Sequence, residues 1–187
     1  GVMKGPFAVD KEYPNWDEEG EYSPIFKTIP QVSHVSVWNF YPDPDATNIE
    51  QAQYIIERHK MSRSELRALK RRPYFRSNVI EEVISEGENY TKKYWEDDLI
   101  DYNQDSYVER FEILEYWGML DTEMLQDQGI EIPKELRDYD ELQANVWCSG
   151  GKLIRVVLNP FKPAKIPYMA APYELNPYSF FGVGLAE

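Results

Sequence analysis

The chain has one cysteine, Cys148, in 187 residues. A lone thiol excludes an internal disulfide and any cysteine-built metal cluster, and it suits a reducing compartment. Histidine is almost as scarce: only His34 and His59 occur, and without paired cysteines or spaced carboxylates they form no metal signature. No apolar run reaches the roughly 20 residues that span a bilayer, and no secretory pattern opens the chain. Positive charge is also short. Twenty Lys and Arg stand against 33 Asp and Glu, a formal charge of −13. Such a chain repels nucleic-acid phosphates in the mean and makes a poor sequence-specific DNA binder.

What the sequence does have is core-building material. The hydrophobic fraction is 42%, with 14 Tyr, 8 Phe and 5 Trp, a composition that argues for a folded core over disorder. The length suits one domain or two small ones. Charge is uneven along it. Residues 58–76 carry Arg58, Lys60, Arg63, Arg67, Lys70, Arg71, Arg72 and Arg76 against Glu65 alone, whereas residues 81–141 are mostly acidic. The chain starts without Met and stops on Leu-Ala-Glu in mid-pattern, so it reads as an excised piece of a longer protein.

Pro and Gly are dense over residues 1–34 and favour extended pieces joined by turns. Alternation over 32–41 predicts a strand that Pro42 and Pro44 end. Thr47-x-x-Glu50 has the form of a capping box, and Ile49, Ala52, Ile55, Ile56 and His59 then share a helical face. A second capping box, Ser62-x-x-Glu65, opens a helix with Leu66 and Leu69 inward, stopped by Pro73. A third helix is expected from Ser77 to Glu86, with Val79, Ile80, Val83 and Ile84 inward and Gly87 as its stop. Residues 89–102 continue as helix. The character then changes. Tyr107 to Trp117 suits a long half-exposed strand. Asp121 caps a short helix ending at Gly129. Glu141–Cys148 and Lys152–Leu158 flank Ser149-Gly-Gly as a hairpin, and Ile166–Ala171 adds a strand. The expected class is α+β: N-terminal strands, a central helical block and a C-terminal antiparallel β-meander. We divide it into a strand-plus-helical region, 1–105, and an antiparallel β region, 106–187.

Few residue groups suggest chemistry. Asp43-Pro-Asp-Ala-Thr47 after an apolar strand has the form of the nucleophile motif of haloacid-dehalogenase-type phosphatases, with Asp43 attacking phosphorus and Asp45 as acid and base. That family needs a parallel sheet with alternating helices and a later acidic pair, for which Asp97-Asp98 is poorly placed. A Pro-bracketed turn with Asp and Thr as caps accounts for the same residues. Cys148 beside Trp147 reads as a small hydrophobe in a strand. Gly150-Gly151-Lys152 lacks the first glycine and the final Ser or Thr of a phosphate-binding loop, so it reads as a hairpin turn. No catalytic residue, cofactor or metal is expected. The basic stripe Arg63, Arg67, Lys70 and Arg71, spaced i, i+4, i+7, i+8, is either a solvated face or a contact for an acidic neighbour, an identical subunit included, with DNA contact third.

The order of three segments resembles the portal proteins of short-tailed phages. The first is Gly1-Val-Met-Lys-Gly-Pro6. The second runs from Asp43-Pro44, through a capped segment, arginine and methionine-serine, to Leu69. The third is Ile166-Pro-Tyr-Met-Ala-Ala-Pro-Tyr-Glu174, followed by Pro177-Tyr-Ser-Phe-Phe-Gly-Val-Gly. The resemblance spans nearly the whole chain and only an internal part of a portal. It implies a structural subunit, not an enzyme, of a twelve-fold ring of identical subunits at one capsid vertex of the virion. That ring would be assembled in the host cytoplasm, with DNA passing through its channel during packaging and ejection. Terminase and then tail or connector proteins would dock on it. In those terms 1–105 is wing-like and 106–187 lies near stem and clip. A phosphatase or a generic protein-binding adaptor is the alternative.

Overall fold

The computed structural model describes residues 1–99 and 109–183. The 105/106 boundary, the end of the expected 89–102 helix and the Tyr107 start of the expected strand lie outside the described residues. Two antiparallel sheets organise the rest. β1 (Val2–Tyr13) and β2 (Ile25–Val35) form a long hairpin, and β8 (Tyr168–Ala170) pairs with the base of β1 to give the order β2-β1-β8. The second sheet has the order β3-β4-β5-β6-β7, with β3 (Phe40–Pro42), β4 (Tyr54–Ser62), β5 (Arg110–Asp121), β6 (Glu141–Ser149) and β7 (Lys152–Leu158). Four short α-helices, α1 (Arg63–Leu69), α2 (Ser77–Glu86), α3 (Tyr94–Leu99) and α4 (Thr122–Asp127), and two 3-10 turns, Val37–Asn39 and Lys134–Leu136, complete the elements of the described residues. The class is mixed α+β as expected, but richer in strand, and the meander starts at Phe40 and not in the C-terminal half.

The largest departure is Tyr54–Ser62. The expected helix over Ile49–His59 does not form; the segment is a strand that pairs from Tyr54↔Gly118 to Ser62↔Arg110 with β5, and with β3 on its other side. Thr47 caps no helix. It locks a loop instead: Thr47 Oγ1 donates to Gln51 Oε1 at 2.7 Å, and Gln51 N donates to Asn48 Oδ1 at 3.0 Å. The helix-like spacing misleads because β4 is buried on both faces at Ile55, Glu57 and Arg58, and a doubly covered strand loses its two-residue period.

Most other local signals produce the expected elements. The strand expected over 32–41 breaks, however, with β2 ending at Val35, a 3-10 turn over Val37–Asn39 and β3 starting at Phe40. Asp121 precedes α4 without a side-chain cap among the described residues. Ser62 accepts from Glu65 N while the Glu65 carboxylate accepts from Ser62 N, the reciprocal capping box. Leu66, Leu69, Ile80, Val83 and Ile84 are buried. Gly150 and Gly151 have φ of 55° and 81°, the left-handed pair that a two-residue hairpin turn needs. The 89–102 helix is shorter than expected, starting only at Tyr94. The strand at 168–170 joins the first sheet, not the meander.

The inward row of β5 reads Phe111, Ile113, Glu115, Trp117. Phe111 and Ile113 belong to a core under α1 and α2 with Trp147 and Ile154. Trp117 belongs to a second core between the two sheets, with Val2, Val35, Phe40, Ile55 and Tyr168. α4 covers a third core with Leu142, Ala144 and Val156. Glu115 thus sits at the seam of the first two cores.

Candidate functional site

Three places concentrate charge: the seam, the outer face of β4, and α1. At the seam, register places Glu57 directly opposite Glu115, and like charges across a ladder repel. Lys4 resolves this. From β1 its Nζ donates to Glu57 Oε2 at 2.7 Å and also to Glu115 Oε2. His59 donates from Nε2 to Glu115 Oε2 at 2.8 Å, Trp117 Nε1 donates to Glu115 Oε1 at 2.7 Å, and Tyr168 donates its hydroxyl to Glu57 Oε2 at 2.6 Å. Asn145 donates to Glu115 Oε1 at 3.3 Å and accepts from Trp147 Nε1 and Arg155. Glu115 is 2% exposed. Burial alone raises such a carboxyl, but the His59 hydrogen bond and the charges of Lys4 and His59 outweigh it and hold Glu115 at about 2. Burial, with Glu115 and Glu57 nearby, pushes the Tyr168 hydroxyl far up, so it stays a donor.

Ligand atoms of Glu57, His59 and Glu115 lie within 4.8 Å of one another, as in a cation site. Lys4 already supplies the cation, and its ion pairs tie the three-stranded sheet to the five-stranded one. The cluster is a structural cross-link.

On the opposite face of β4, Arg58 is 4% exposed. It donates to Glu112 through Nε, to Glu96 Oε1 at 3.1 Å and to the Thr91 carbonyl at 2.7 Å, and its guanidinium lies 4.4 Å from the Tyr90 ring centroid. This clamps the 90–96 segment on the sheet.

The sequence-derived stripe splits. Arg63, Arg67 and Arg71 line a shallow concavity of about 700 Å³ with Ser62, Ser64 and Glu109. Arg63 is ion-paired to Glu109, Nη2–Oε2 2.6 Å. Lys70 turns away to Glu81 at 2.5 Å. Arg67 and Arg71 are exposed and have no ion pair among the described residues.

The phosphatase reading fails on this geometry. Both sheets are antiparallel. Asp43 is buried and spends both carboxylate oxygens on backbone amides, those of Asp45 and Gln53, each at 3.1 Å. His34 is exposed, whereas His59 lies on a strand, not a helix, and stacks on Trp147 at 5.0 Å. Burial raises the Cys148 thiol, the wrong direction for a nucleophile. The seam escaped sequence reasoning because its parts come from positions 4, 57, 59, 115, 145 and 168. The one available signal was Glu115 in an otherwise apolar inward row.

These features define a structural, strand-rich module whose buried charges hold sheets together. The chain belongs to the Phage SU10 portal protein family, whose family model matches residues 10–187. No curated protein matches it with significance. Membership makes the chain a structural portal component and not an enzyme, and it implies an oligomeric ring at the capsid vertex of a virion.

Proposed function

We propose that this chain is part of a twelve-fold portal ring that forms the channel for DNA packaging and ejection and docks terminase, then tail or connector proteins. The observation that carries this reading is the family match over residues 10–187. The charge of −13 supports it, because a channel wall that repels phosphate lets DNA slide without gripping it. Residues 1–105 are assigned to the wing-like side and 106–187 to the region near stem and clip, with the five-stranded sheet running through both. Arg63, Arg67, Lys70 and Arg71 are assigned to subunit contact.

The test is electron microscopy of the full-length protein, followed by packaging with terminase into heads that carry or lack it. Twelve-fold rings and ring-dependent protection of DNA are expected. A full-length chain that remains monomeric, or heads that fill without it, would overturn the reading.

A further inference from the structure

The β1–β2 hairpin is built as an arm. From Lys4 to Tyr13 it runs ten residues, about 30 Å at the usual strand rise. Residues 8–23 are exposed almost throughout. Among the described residues, every hydrogen bond and ring contact of residues 10–26 stays inside the hairpin: Asp10 with Thr28, Tyr22 with Glu12, Asn15 with Ser23, Trp16 against Tyr22. A two-stranded ribbon standing alone in water is marginal. Trp16 and Phe26 are 61% and 64% exposed. The arm therefore calls for an occupant on its outer surface.

Its tip says what kind. Asp17 Oδ1 accepts from Glu19 N at 3.0 Å and Glu21 N at 2.8 Å, which fixes the turn and leaves Glu18, Glu19 and Glu21 pointing to solvent with no cation beside them among the described residues. Residues 10–23 hold six acidic groups and one lysine, Lys11. The complementary surface is on the same chain. Arg67 and Arg71 line the concavity beside α1 and have no ion pair among the described residues.

We infer that the acidic tip of the β1–β2 hairpin seats in the Arg67/Arg71 concavity of the next copy. This rests on the ring reading and names both halves of one subunit contact. Two different patches on one chain make a head-to-tail interface, the kind that closes into rings. One tip meets one concavity per subunit, so the stoichiometry balances without a further partner. Duplex DNA is the weaker occupant of the concavity because the rest of the chain repels it.

A charge swap in the full-length protein tests it. Arg67→Glu/Arg71→Glu and, separately, Glu18→Lys/Glu19→Lys/Glu21→Lys should each reduce the assembled fraction about tenfold or more. Thermal melting followed by circular dichroism should stay unchanged, since all five side chains are exposed. Combining the two sets should restore assembly. As a measurement independent of rings, Glu19→Cys and Arg67→Cys chains, each with Cys148→Ala, should form a disulfide-linked pair when mixed under oxidation. Normal assembly of either reversed protein, no recovery in the swap, or no crosslink would overturn the inference. So would an Arg67/Arg71 reversal that leaves assembly intact and removes duplex binding, which would hand the concavity to nucleic acid. If wild-type protein forms no ring, the ring reading falls by itself and the crosslink still decides the pairing.

Discussion

Glu115 carries the most consequence of any single side chain. It is a buried carboxylate with Lys4, His59, Trp117 and Asn145 all directed at it. Removing one partner of a buried pair strands the other, so Glu115→Ala should cost about 3 kcal/mol or more, read from the denaturant midpoint. Its pH dependence has a definite sign. The folded carboxyl sits near 2 against an ordinary 4.5. The unfolded chain therefore binds the proton first. Stability from this group is complete above about pH 4.5 and drains away as pH falls toward 2, by on the order of 3 kcal/mol. Glu115→Gln should flatten the stability curve in that window. An unaltered acid limb would show that other carboxylates dominate it. Gly118 is the second sensitive position. A Cβ there would lie 2.5 Å from Tyr54 Cβ and 2.6 Å from the Gln53 carbonyl, so Gly118→Ala should destabilise by about 1–3 kcal/mol through overpacking between β4 and β5. A neutral melting midpoint would mean that the strands part easily.

Among elements, Ser62 and Thr47 make a controlled comparison. Both begin a Ser/Thr-x-x-Glu pattern, yet only Ser62 starts a helix. Ser62→Ala should cost about 1 kcal/mol. Thr47→Ala removes one exposed hydrogen bond to Gln51 and should cost about 0.5 kcal/mol or less. Equal losses in urea titrations would contradict the assignment. The comparison also shows what was legible in the sequence. α1, α2 and the β6–β7 hairpin carry their instructions locally, in a cap, a Gly stop or a Gly-Gly turn. β4 does not. Its strand identity is decided by Phe111 to Trp117 on one side and Phe40 to Pro42 on the other, and that information is distant in sequence. The seam was illegible for the same reason, because Lys4 meets Glu115 only after both sheets exist. The basic stripe was half legible: spacing placed Arg63, Arg67 and Arg71 together, but Lys70 is drawn to Glu81 on α2, a partner distant in sequence.

At the scale of the whole molecule, the structure separates a body from an arm. The body holds all three cores, and residues 10–26 contribute nothing to them. Replacing Asp10–Phe26 with a short turn should therefore leave the melting midpoint of the body within a few degrees, while amide exchange in the intact arm should be fast compared with β5 and β6. A large drop in the midpoint, or slow exchange in the isolated chain, would mean that the arm packs on the body.

The arm also has a mechanical meaning. It is a lever about 30 Å long, held at its base by three residue pairs with β8 and by the two ion pairs of Lys4. A sideways load at Gly20 is multiplied at that short fulcrum. The torque arrives at Glu57 and Glu115, on the adjacent strands β4 and β5, and at Val2 and Val35, which sit in the core between the two sheets. A load on the tip is therefore delivered to the junction of the two sheets, where a buried charge cluster and an apolar core resist it together.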